Sequence, residues 1–270
     1  MLIPLGLVVG AFGTLVGAGG GFVLVPALLL IYPERKPELI ASMGLFVVFA
    51  NSVSGAFAYS RLGRIDYRSA AWFAAGTFPG ALIGALVVGY IPRRTFDGMF
   101  AVVLGGIGLF LLLRKLGTAI QPPVTGRGVV TREIRDKDGV LYFYSFQLWK
   151  GVAMSAIIGF LSSLLGIGGG VIHVPVMATM LHFPVYIATA TSQTVLAFMA
   201  GEGTIVHFAT GTLTWDRALW QAALLAVGAV PGAQIGARLA RRIRSATILR
   251  ALAVALLLVA ARLALKAIQG

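Results

Sequence analysis

Long apolar runs separated by short charged segments are the feature that most constrains how this sequence can fold. The hydrocarbon layer of a membrane is about 30 Å thick, and a helix needs about 20 apolar residues to cross it. Only 11% of the residues are charged, whereas soluble domains are about a quarter charged. Apolar runs occur at Ala41–Tyr59, Ala70–Ile91, Phe100–Leu113, Ile187–Ala209, Ala218–Leu239 and Ile248–Ala267. The sequence therefore predicts an all-α integral membrane protein, a polytopic helical bundle.

The basic residues indicate membrane topology rather than a nucleic-acid partner. The formal net charge is +13, but the 22 Lys and Arg residues lie mainly in the gaps between apolar runs. Cytoplasmic loops of membrane proteins collect such residues. With no Cys and only three His, the chain lacks a Cys nucleophile and the ligand spacing of a metal site. We expect the lipid bilayer as a partner, and no nucleic acid, no metal, no other cofactor and no enzymatic activity.

Two motifs occur twice, in the same order. Gly17–Pro26, with the sequence GAGGGFVLVP, matches Gly166–Pro175, with the sequence GIGGGVIHVP. Farther along, the PGALIGA motif at Pro79–Ala85 matches the PGAQIGA motif at Pro231–Ala237. Matched motifs at nearly the same spacing indicate that one helical unit has been duplicated. We interpret the PGAxIGA pair as a helix-packing seam, because small residues at helical spacing let helices approach closely.

The duplication divides the chain into a first repeat at 1–116, a linker at 117–144 and a second repeat at 145–270. The linker is rich in charged residues and is expected to lie outside the membrane. Its stretches Val129–Arg135 and Val140–Phe146, separated by Lys-Asp-Gly, are compatible with a small β-hairpin and equally with a flexible loop.

The glycine motif interrupts the first helix of each repeat. A continuous helix from Leu2 to Ile31 would be about 45 Å long at 1.5 Å per residue, which is well beyond one crossing. A re-entrant hairpin that turns at Gly17–Gly21 fits better and leaves three full crossings in each half. An odd number of crossings inverts the second repeat. Conventional first helices would instead give eight crossings and parallel repeats.

The positive-inside rule favours the inverted arrangement. It places about twice as many of the 22 Lys and Arg residues on the linker side as on the opposite side. The parallel arrangement divides them more evenly. We therefore expect a multi-pass protein of the cell inner membrane, with the linker in the cytoplasm and both termini in the periplasm.

The two glycine turns are the predicted substrate site. Glycine adopts the positive φ angles that such a turn needs and leaves its backbone N–H groups uncovered. Each turn precedes a helix, and the free N–H groups and dipole of a helix N-terminus favour anions. In transporters with broken helices, substrates bind at such breaks near the middle of the membrane. Close helix packing through small residues is the alternative explanation.

Polar residues in the next helix of each half could add hydroxyl and amide donors for an oxyanion, or could bond their own helix backbone instead. His173, just after the second turn, could add a donor or could simply pack. Ser52, Ser54, Thr189 and Thr194 lie nearby. The predicted substrate-binding residues are Gly19, Gly20, Gly21, Ser42, Asn51, Gly168, Gly169, Gly170, His173, Thr191, Ser192 and Gln193.

Glu202 is the one acidic residue well inside a predicted crossing. A buried carboxyl group favours its neutral form and can exchange a proton. We predict that Glu202 couples transport to proton movement. The alternative is a carboxyl group that faces a pore or bonds its own helix without a coupling role.

These motifs resemble the TauE/SafE family of membrane permeases, also called sulfite exporter-like proteins. The resemblance rests on the paired GxGGG-x4-P turns, the Ala-Thr-Ser tract at Ala190–Ser192 and the repeated PGAxIGA motif, and it extends from Leu5 to about Leu265. It implies transport of sulfur-containing anions such as sulfite and sulfoacetate, usually outward through the bacterial inner membrane. The first half departs from the pattern, since Ala-Ser-Met stands at Ala41–Met43.

Together these features predict a secondary transporter that moves a small sulfur-containing anion. No ATP-binding motif is visible, so the driving force would be an ion gradient or the gradient of the substrate. A homo-oligomer is left open. The alternatives are a membrane scaffold that transports nothing and an anion channel.

Overall fold

Five helices precede a β-hairpin and five follow it in the part of the chain that the structure describes. The structure is a computed structural model and describes residues 1–113, 128–240, 242–243 and 245–269. The first part of the predicted linker, 117–127, lies outside the described residues. The elements are α1 (Leu2–Val16), α2 (Gly21–Ile31), α3 (Pro37–Ser60), α4 (Tyr67–Val87), α5 (Arg93–Leu113), β1 (Val129–Arg135), β2 (Leu141–Gln147), α6 (Leu148–Leu165), α7 (Gly170–Thr179), α8 (Val185–Ala209), α9 (Arg217–Ala240) and α10 (Ser245–Gln269).

Among the described residues, six helices are long and apolar enough to cross a membrane, which confirms the prediction of a polytopic helical membrane protein. They are α3, α5, α6 and α9, together with Tyr67–Tyr90, which adds a short 3-10 turn to α4, and Ala246–Leu265 within α10. The predicted set had α8 in place of α6. Although α8 has 25 residues, its mean hydropathy is lowered by polar side chains at Thr189, Thr191, Ser192, Gln193, Thr194 and Glu202.

Glycines in the left-handed conformation separate the first two helices of each half. Gly17 ends α1 with a φ of 76°, and Gly20 precedes α2 with a φ of 83°. Gly166 ends α6 with a φ of 71°, and Gly169 precedes α7 with a φ of 75°. Residues with a side chain rarely adopt such angles. The glycines therefore determine where both helices break.

Helices from opposite halves pair with each other. α1 lies against α9 and α4 against α6, while α3 packs on α8 and α5 packs on α10. Glycines of the PGAxIGA motifs make the closest approaches. A Cβ atom at Gly236 would overlap the carbonyl oxygen of Ala11, and one at Gly84 would overlap that of Phe160. The interpretation of these motifs as a packing seam is therefore confirmed.

The predicted hairpin is present in the described part of the linker. β1 and β2 are antiparallel, with Val129 opposite Gln147 and Arg135 opposite Leu141. The second strand extends beyond the predicted linker end at 144. Tyr144 and Phe146 on this strand are buried against Phe183, with ring centroids 4.4 Å and 4.7 Å from it.

A buried ion pair holds the hairpin turn against the loop between α3 and α4. Arg64 Nε donates to Asp136 Oδ2 at 3.1 Å, and Arg64 Nη2 lies 3.3 Å from Asp138 Oδ2. The N–H groups of Asp138 and Val140 both donate to Asp136 Oδ1 at 3.0 Å. Burial by itself would raise the pKa of the Asp136 carboxyl group, but the Val140 N–H and the Arg64 guanidinium outweigh this effect and lower the pKa.

The close approach of α1 and α9 predicts that Gly236→Ala destabilises the protein. The added methyl group would overlap the Ala11 carbonyl oxygen, and overpacking of this kind costs about 1–3 kcal/mol of the free energy of unfolding. Gly106→Ala is the matched control, because a Cβ atom at Gly106 meets nothing within 4 Å and alanine favours the helix. Thermal unfolding in detergent should show a lower midpoint for Gly236→Ala alone. Equal midpoints would contradict the packing described above.

The ion pair between Arg64 and Asp136 predicts an acid-sensitive hairpin. Because folding lowers the pKa of Asp136, its stabilising effect is complete above about pH 4 and is lost as the pH falls through the folded-state pKa. Asp136→Asn should lower the free energy of unfolding by about 1–3 kcal/mol at neutral pH and remove this part of the acid dependence. Thermal midpoints measured from neutral pH into the acid range test this. Glu133→Gln, at an exposed position of β1, should keep the wild-type profile, and an unchanged profile for Asp136→Asn would exclude the effect.

Candidate functional site

The two glycine turns are buried and are not helical. Gly19 and Gly168, within the turns, have φ angles of 72° and 82°. In the described part of the chain, the N–H groups of Gly20 and Gly21 have no hydrogen-bond acceptor, whereas the N–H group of Gly170 donates to the Gly168 carbonyl oxygen at 2.9 Å. Two amide groups at the start of α2 therefore lack a partner in this conformation, and the Gly20 nitrogen packs closely against Gly13. The predicted ligands Gly19 and Gly170 are already engaged, because the Gly19 N–H group donates to the Gly13 carbonyl oxygen at 3.2 Å, whereas the N–H groups of Gly168 and Gly169 have no acceptor in the described ranges.

The turns pack directly against each other. A Cβ atom at Gly21 would lie 2.5 Å from the carbonyl oxygen of Ile167, and one at Gly170 would overlap the carbonyl oxygen of Gly17. No room is left for an anion between these two backbones in this conformation. The predicted position of the substrate, between the turns, is therefore filled by protein.

Several of the predicted polar residues gather around the first turn. Asn51 Nδ2 donates to the Gly19 carbonyl oxygen at 3.2 Å, and Ser192 Oγ donates to the Gly17 carbonyl oxygen at 3.1 Å. Gln193 Nε2 lies 3.5 Å from a carbonyl oxygen near the end of α1. Because Ser192 and Gln193 belong to α8, the second half contributes directly to the turn of the first half.

Ser42 and Thr191, which were both predicted as substrate ligands, make other contacts. Ser42 Oγ donates to the Leu39 carbonyl oxygen of its own helix at 2.8 Å. Thr191 Oγ1 accepts a hydrogen bond from the Asp66 N–H group at 3.0 Å. In this conformation neither hydroxyl group donates to a glycine turn.

His173 and Glu202 are directed away from the turns. The ring of His173 stacks on Phe73, with the centroids 6.5 Å apart, beneath the hairpin. Glu202 lies on α8 between Phe198 and Ile205, which are 65% and 68% exposed. The Glu202 carboxyl group therefore borders the outer surface of the helix, although its Oε1 atom is buried and has no partner among the described residues.

Two buried serines beside the turns are further candidates. A Cβ atom at Gly19 would lie 3.3 Å from Ser52 Oγ, and one at Gly169 would lie 2.9 Å from Ser162 Oγ. Both side chains are fully buried, and neither hydroxyl group has a partner in the described part of the chain. Buried polar groups are nearly always hydrogen-bonded, so these hydroxyl groups are available to a ligand. The position of Ser162, about one turn before Gly166, is the sequence signal that would have found it.

Two aliphatic side chains close the space beside the first turn. A Cβ atom at Gly19 would lie 2.7 Å from Leu196 Cδ2 and 2.9 Å from Val48 Cγ1, and Val48 also lies against the second turn. Val48 and Leu196 form a small buried cluster with Leu45 and Ala200, between α3 and α8. This aliphatic cluster therefore packs directly against both turns.

The turns lie in an uncharged region. An anion held there would be bound by backbone amides and neutral side chains, as at other helix N-termini. Among the residues that the structure describes, no group of three His, Cys, Asp or Glu side chains is placed to bind a metal ion. The buried charged side chains of the described residues lie in loops, in the hairpin or near the start of α5, and they are Arg64, Asp66, Asp97 and Asp136.

A junction at Asp66 connects the hairpin to α8. Asp66 Oδ2 accepts a hydrogen bond from the Tyr144 hydroxyl group at 2.8 Å and lies 3.3 Å from Arg132 Nε, an ionic contact without hydrogen-bond geometry. Burial, and then the charge of Asp66, raise the pKa of Tyr144, so its hydroxyl group stays protonated and donates. The Asp66 N–H group in turn holds Thr191 on α8.

Known proteins with similar sequences are membrane transporters by name. The sequence model of the family described as "Sulfite exporter TauE/SafE" matches residues 2–263. "Probable membrane transporter protein YunE" of Bacillus subtilis (strain 168) is 32% identical over 269 residues, which cover 97% of this chain and 96% of that protein. A "Probable membrane transporter protein" of Methanocaldococcus jannaschii is 28% identical over 78% of this chain and 73% of its own length. No solved structure gives a significant match.

The plant relative "Sulfite exporter TauE/SafE family protein 1" of Arabidopsis thaliana is 32% identical over 113 residues, which cover 42% of this chain and 24% of that protein. The match of the family model extends over nearly the whole chain, glycine turns and cross-packed helices included. The six apolar helices agree with the membrane location that the names of the relatives state. The chain is therefore a multi-pass membrane protein that belongs to the TauE/SafE sulfite exporter family.

Proposed function

We propose that this protein is a secondary transporter that carries a small anion, a sulfur oxyanion or organosulfonate such as sulfite or sulfoacetate, outward across the bacterial inner membrane. The observation that supports this most directly is the pair of buried glycine turns, with free amides at Gly20 and Gly21 and unpartnered hydroxyl groups at Ser52 and Ser162. Hydrogen bonds to an ionised acceptor are stronger than those to a neutral one. An oxyanion is therefore the ligand that these donors suit best.

The packed turns are consistent with a closed state of such a transporter. The backbones meet at Gly21 and Ile167, and Val48 and Leu196 fill the space beside Gly19. Binding would require α3 and α8 to move apart, so that the aliphatic pair leaves the buried serines. In transporters built from two repeats, one repeat moves against the other around the binding site.

We also propose that the two halves are inverted repeats and that each glycine turn is the tip of a re-entrant hairpin. Equivalent helices make equivalent contacts, because α1 pairs with α9 as α6 pairs with α4. α2 and α7 have 11 and 10 residues, too few to cross a hydrocarbon layer of about 30 Å. The basic residues support a cytoplasmic hairpin and periplasmic termini.

A non-transporting scaffold and an anion channel are the competing functions. The direct contact of the turns favours a scaffold, because the glycines would then serve only close packing. The unpartnered hydroxyl groups of Ser52 and Ser162 favour transport, because packing alone gives no reason to bury them without acceptors or donors. Measurements of flux separate the three functions.

The proposed site predicts that Ser52→Ala and Ser162→Ala each weaken anion transport without unfolding the protein. A hydrogen bond to a charged group contributes about 1.5–3 kcal/mol, so each variant should raise the KM for sulfite or sulfoacetate in proteoliposomes by about tenfold or more. Thermal midpoints should not fall, because alanine removes a buried polar group that has no partner. Ser60→Ala is the control, since its exposed hydroxyl group donates to Phe57 of its own helix.

Each result has a distinct meaning for the three functions. Saturable flux with a raised KM in both serine variants supports the carrier and its site. Flux that never saturates with concentration would indicate a channel, and no flux of either anion by folded protein would favour the scaffold. Wild-type KM values in both variants would show that the anion binds elsewhere.

We further propose that Glu202 couples anion movement to proton movement. Its carboxyl group is partly buried on α8, between the exposed apolar side chains of Phe198 and Ile205, and its Oε1 atom has no partner among the described residues. Ionisable groups in such surroundings commonly serve as proton carriers. Because Glu202 lies near the outer side of α8, it would act on that helix as a whole rather than by touching the anion.

Glu202→Gln should therefore transport the anion without the pH dependence of the wild type, since glutamine cannot exchange a proton. The measurement is flux into proteoliposomes with and without an imposed pH gradient. Glu34→Gln, which alters an exposed loop residue, should respond to the gradient as the wild type does. If Glu202→Gln keeps both the wild-type flux and its pH dependence, coupling by this residue is ruled out.

A further inference from the structure

The end of α9 nearest to the hairpin borders a cavity that the proposed transport does not use. The cavity has a volume of about 800 Å³ and is lined by Asp138, Ile235, Arg238, Leu239 and Arg242. The first of these residues lies in the hairpin turn, and the others lie on α9 or just after it. The cavity therefore lies between the hairpin and the end of a membrane-crossing helix.

The lining of the cavity combines two aliphatic and two basic side chains of the α9 region. Ile235 and Leu239 are one helical turn apart and are 46% and 45% exposed. Arg238 and Arg242 are spaced in the same way and are exposed. α9 ends at Ala240, so Arg238 lies in its last turn and Arg242 just beyond it, with the two aliphatic side chains interleaved along the same stretch.

The residues that line the cavity carry a net positive charge. The chain segment that carries Arg242 is fixed by a hydrogen bond. Neither Arg238 nor Arg242 has an ion-pair partner among the described residues. Asp138 lies 3.3 Å from Arg64, but that guanidinium also pairs with Asp136, so the lining sets two arginines against one aspartate and keeps a net positive charge. The backbone that follows Arg242 is fixed, because the Tyr186 hydroxyl group donates to a carbonyl oxygen there at 2.9 Å.

Basic residues at this end of a helix also have an ordinary explanation. The C-terminus of a helix carries a partial negative charge, and cytoplasmic loops collect arginine. This accounts for the charge, but not for a cavity in which guanidinium groups adjoin exposed aliphatic side chains. That combination matches an amphipathic anion, since arginine binds phosphate through two parallel hydrogen bonds and basic pockets at membrane surfaces bind lipid headgroups.

We propose that this cavity binds the headgroup of an anionic phospholipid. Arg238 and Arg242 contact the phosphodiester group, and Ile235 and Leu239 pack against the acyl chains. Inorganic phosphate offers similar oxygen acceptors for the arginines but nothing that would cover the aliphatic side chains. The site is separate from the glycine turns, and lipid binding there does not depend on which anion is transported.

Native mass spectrometry of the purified chain tests this site with phosphatidylglycerol and phosphatidylcholine that carry the same acyl chains. We expect several-fold higher occupancy by phosphatidylglycerol in the wild type, and equal occupancy by the two lipids in Arg238→Gln/Arg242→Gln. Arg94→Gln/Arg217→Gln is the matched control. This variant removes the same charge from exposed positions at the N-terminal ends of α5 and α9, away from the cavity. It should keep the wild-type preference for phosphatidylglycerol.

Equal occupancy by both lipids in the wild type would overturn the proposal, as would selectivity that survives in Arg238→Gln/Arg242→Gln. Inorganic phosphate supplies the second arm, because a ligand that binds only the folded state raises the thermal midpoint. A midpoint raised by phosphatidylglycerol but not by phosphate supports the lipid site. If phosphate raises the midpoint as much as phosphatidylglycerol, and only when both arginines are present, the ligand is a free anion and the lipid assignment is wrong.

Discussion

In a membrane, backbone N–H and C=O groups must form hydrogen bonds or be enclosed by protein. In this fold the non-helical backbone of the two glycine turns is enclosed because the turns pack against each other. Each turn ends one helix and begins another inside the bundle. Only glycine permits both the left-handed angles at Gly17 and Gly166 and the close approach of Gly21 to Ile167. α3 and α8 pass beside the turns, and Asn51 and Ser192 donate to carbonyl oxygens of the first turn. The breaks are stable because each half encloses the break of the other.

The features of this fold that depend on neighbouring residues could be predicted from the sequence. Apolar runs indicated the crossings, glycines indicated the breaks, and Lys-Asp-Gly indicated the hairpin, because each of these depends on neighbouring residues. The choice between α6 and α8 was less well determined, since α8 is long but polar on its buried side. The candidate site was predicted as a region, whereas its contacts were not. The bonds from Ser192 to Gly17 and from Asp66 to Thr191 join residues that are distant in the chain, and no pattern within one helix indicates such partners.

The hairpin links the surface of the bundle to its interior. Asp66 accepts a hydrogen bond from Tyr144 of the hairpin and donates one to Thr191 of α8, and the next residue, Ser192, donates to Gly17 at the first turn. These contacts are continuous, and they run through buried side chains. Buried hydrogen bonds therefore join the hairpin directly to α8. The hairpin contacts include charged side chains, whereas the contacts at the first glycine turn come from neutral side-chain donors.

The pairing of α1 with α9 and of α4 with α6 also determines the order in which this protein can be assembled. A ribosome completes the N-terminal helices well before their partners in the C-terminal half have been synthesised. The small-residue faces of α1 and α4 therefore enter the bilayer next to lipid or insertion machinery, with no matching surface available. Neither half can complete its own interior. The α1–α9 and α4–α6 interfaces must wait until their C-terminal partners have been translated, and the early helices depend on the membrane to keep them in place until then.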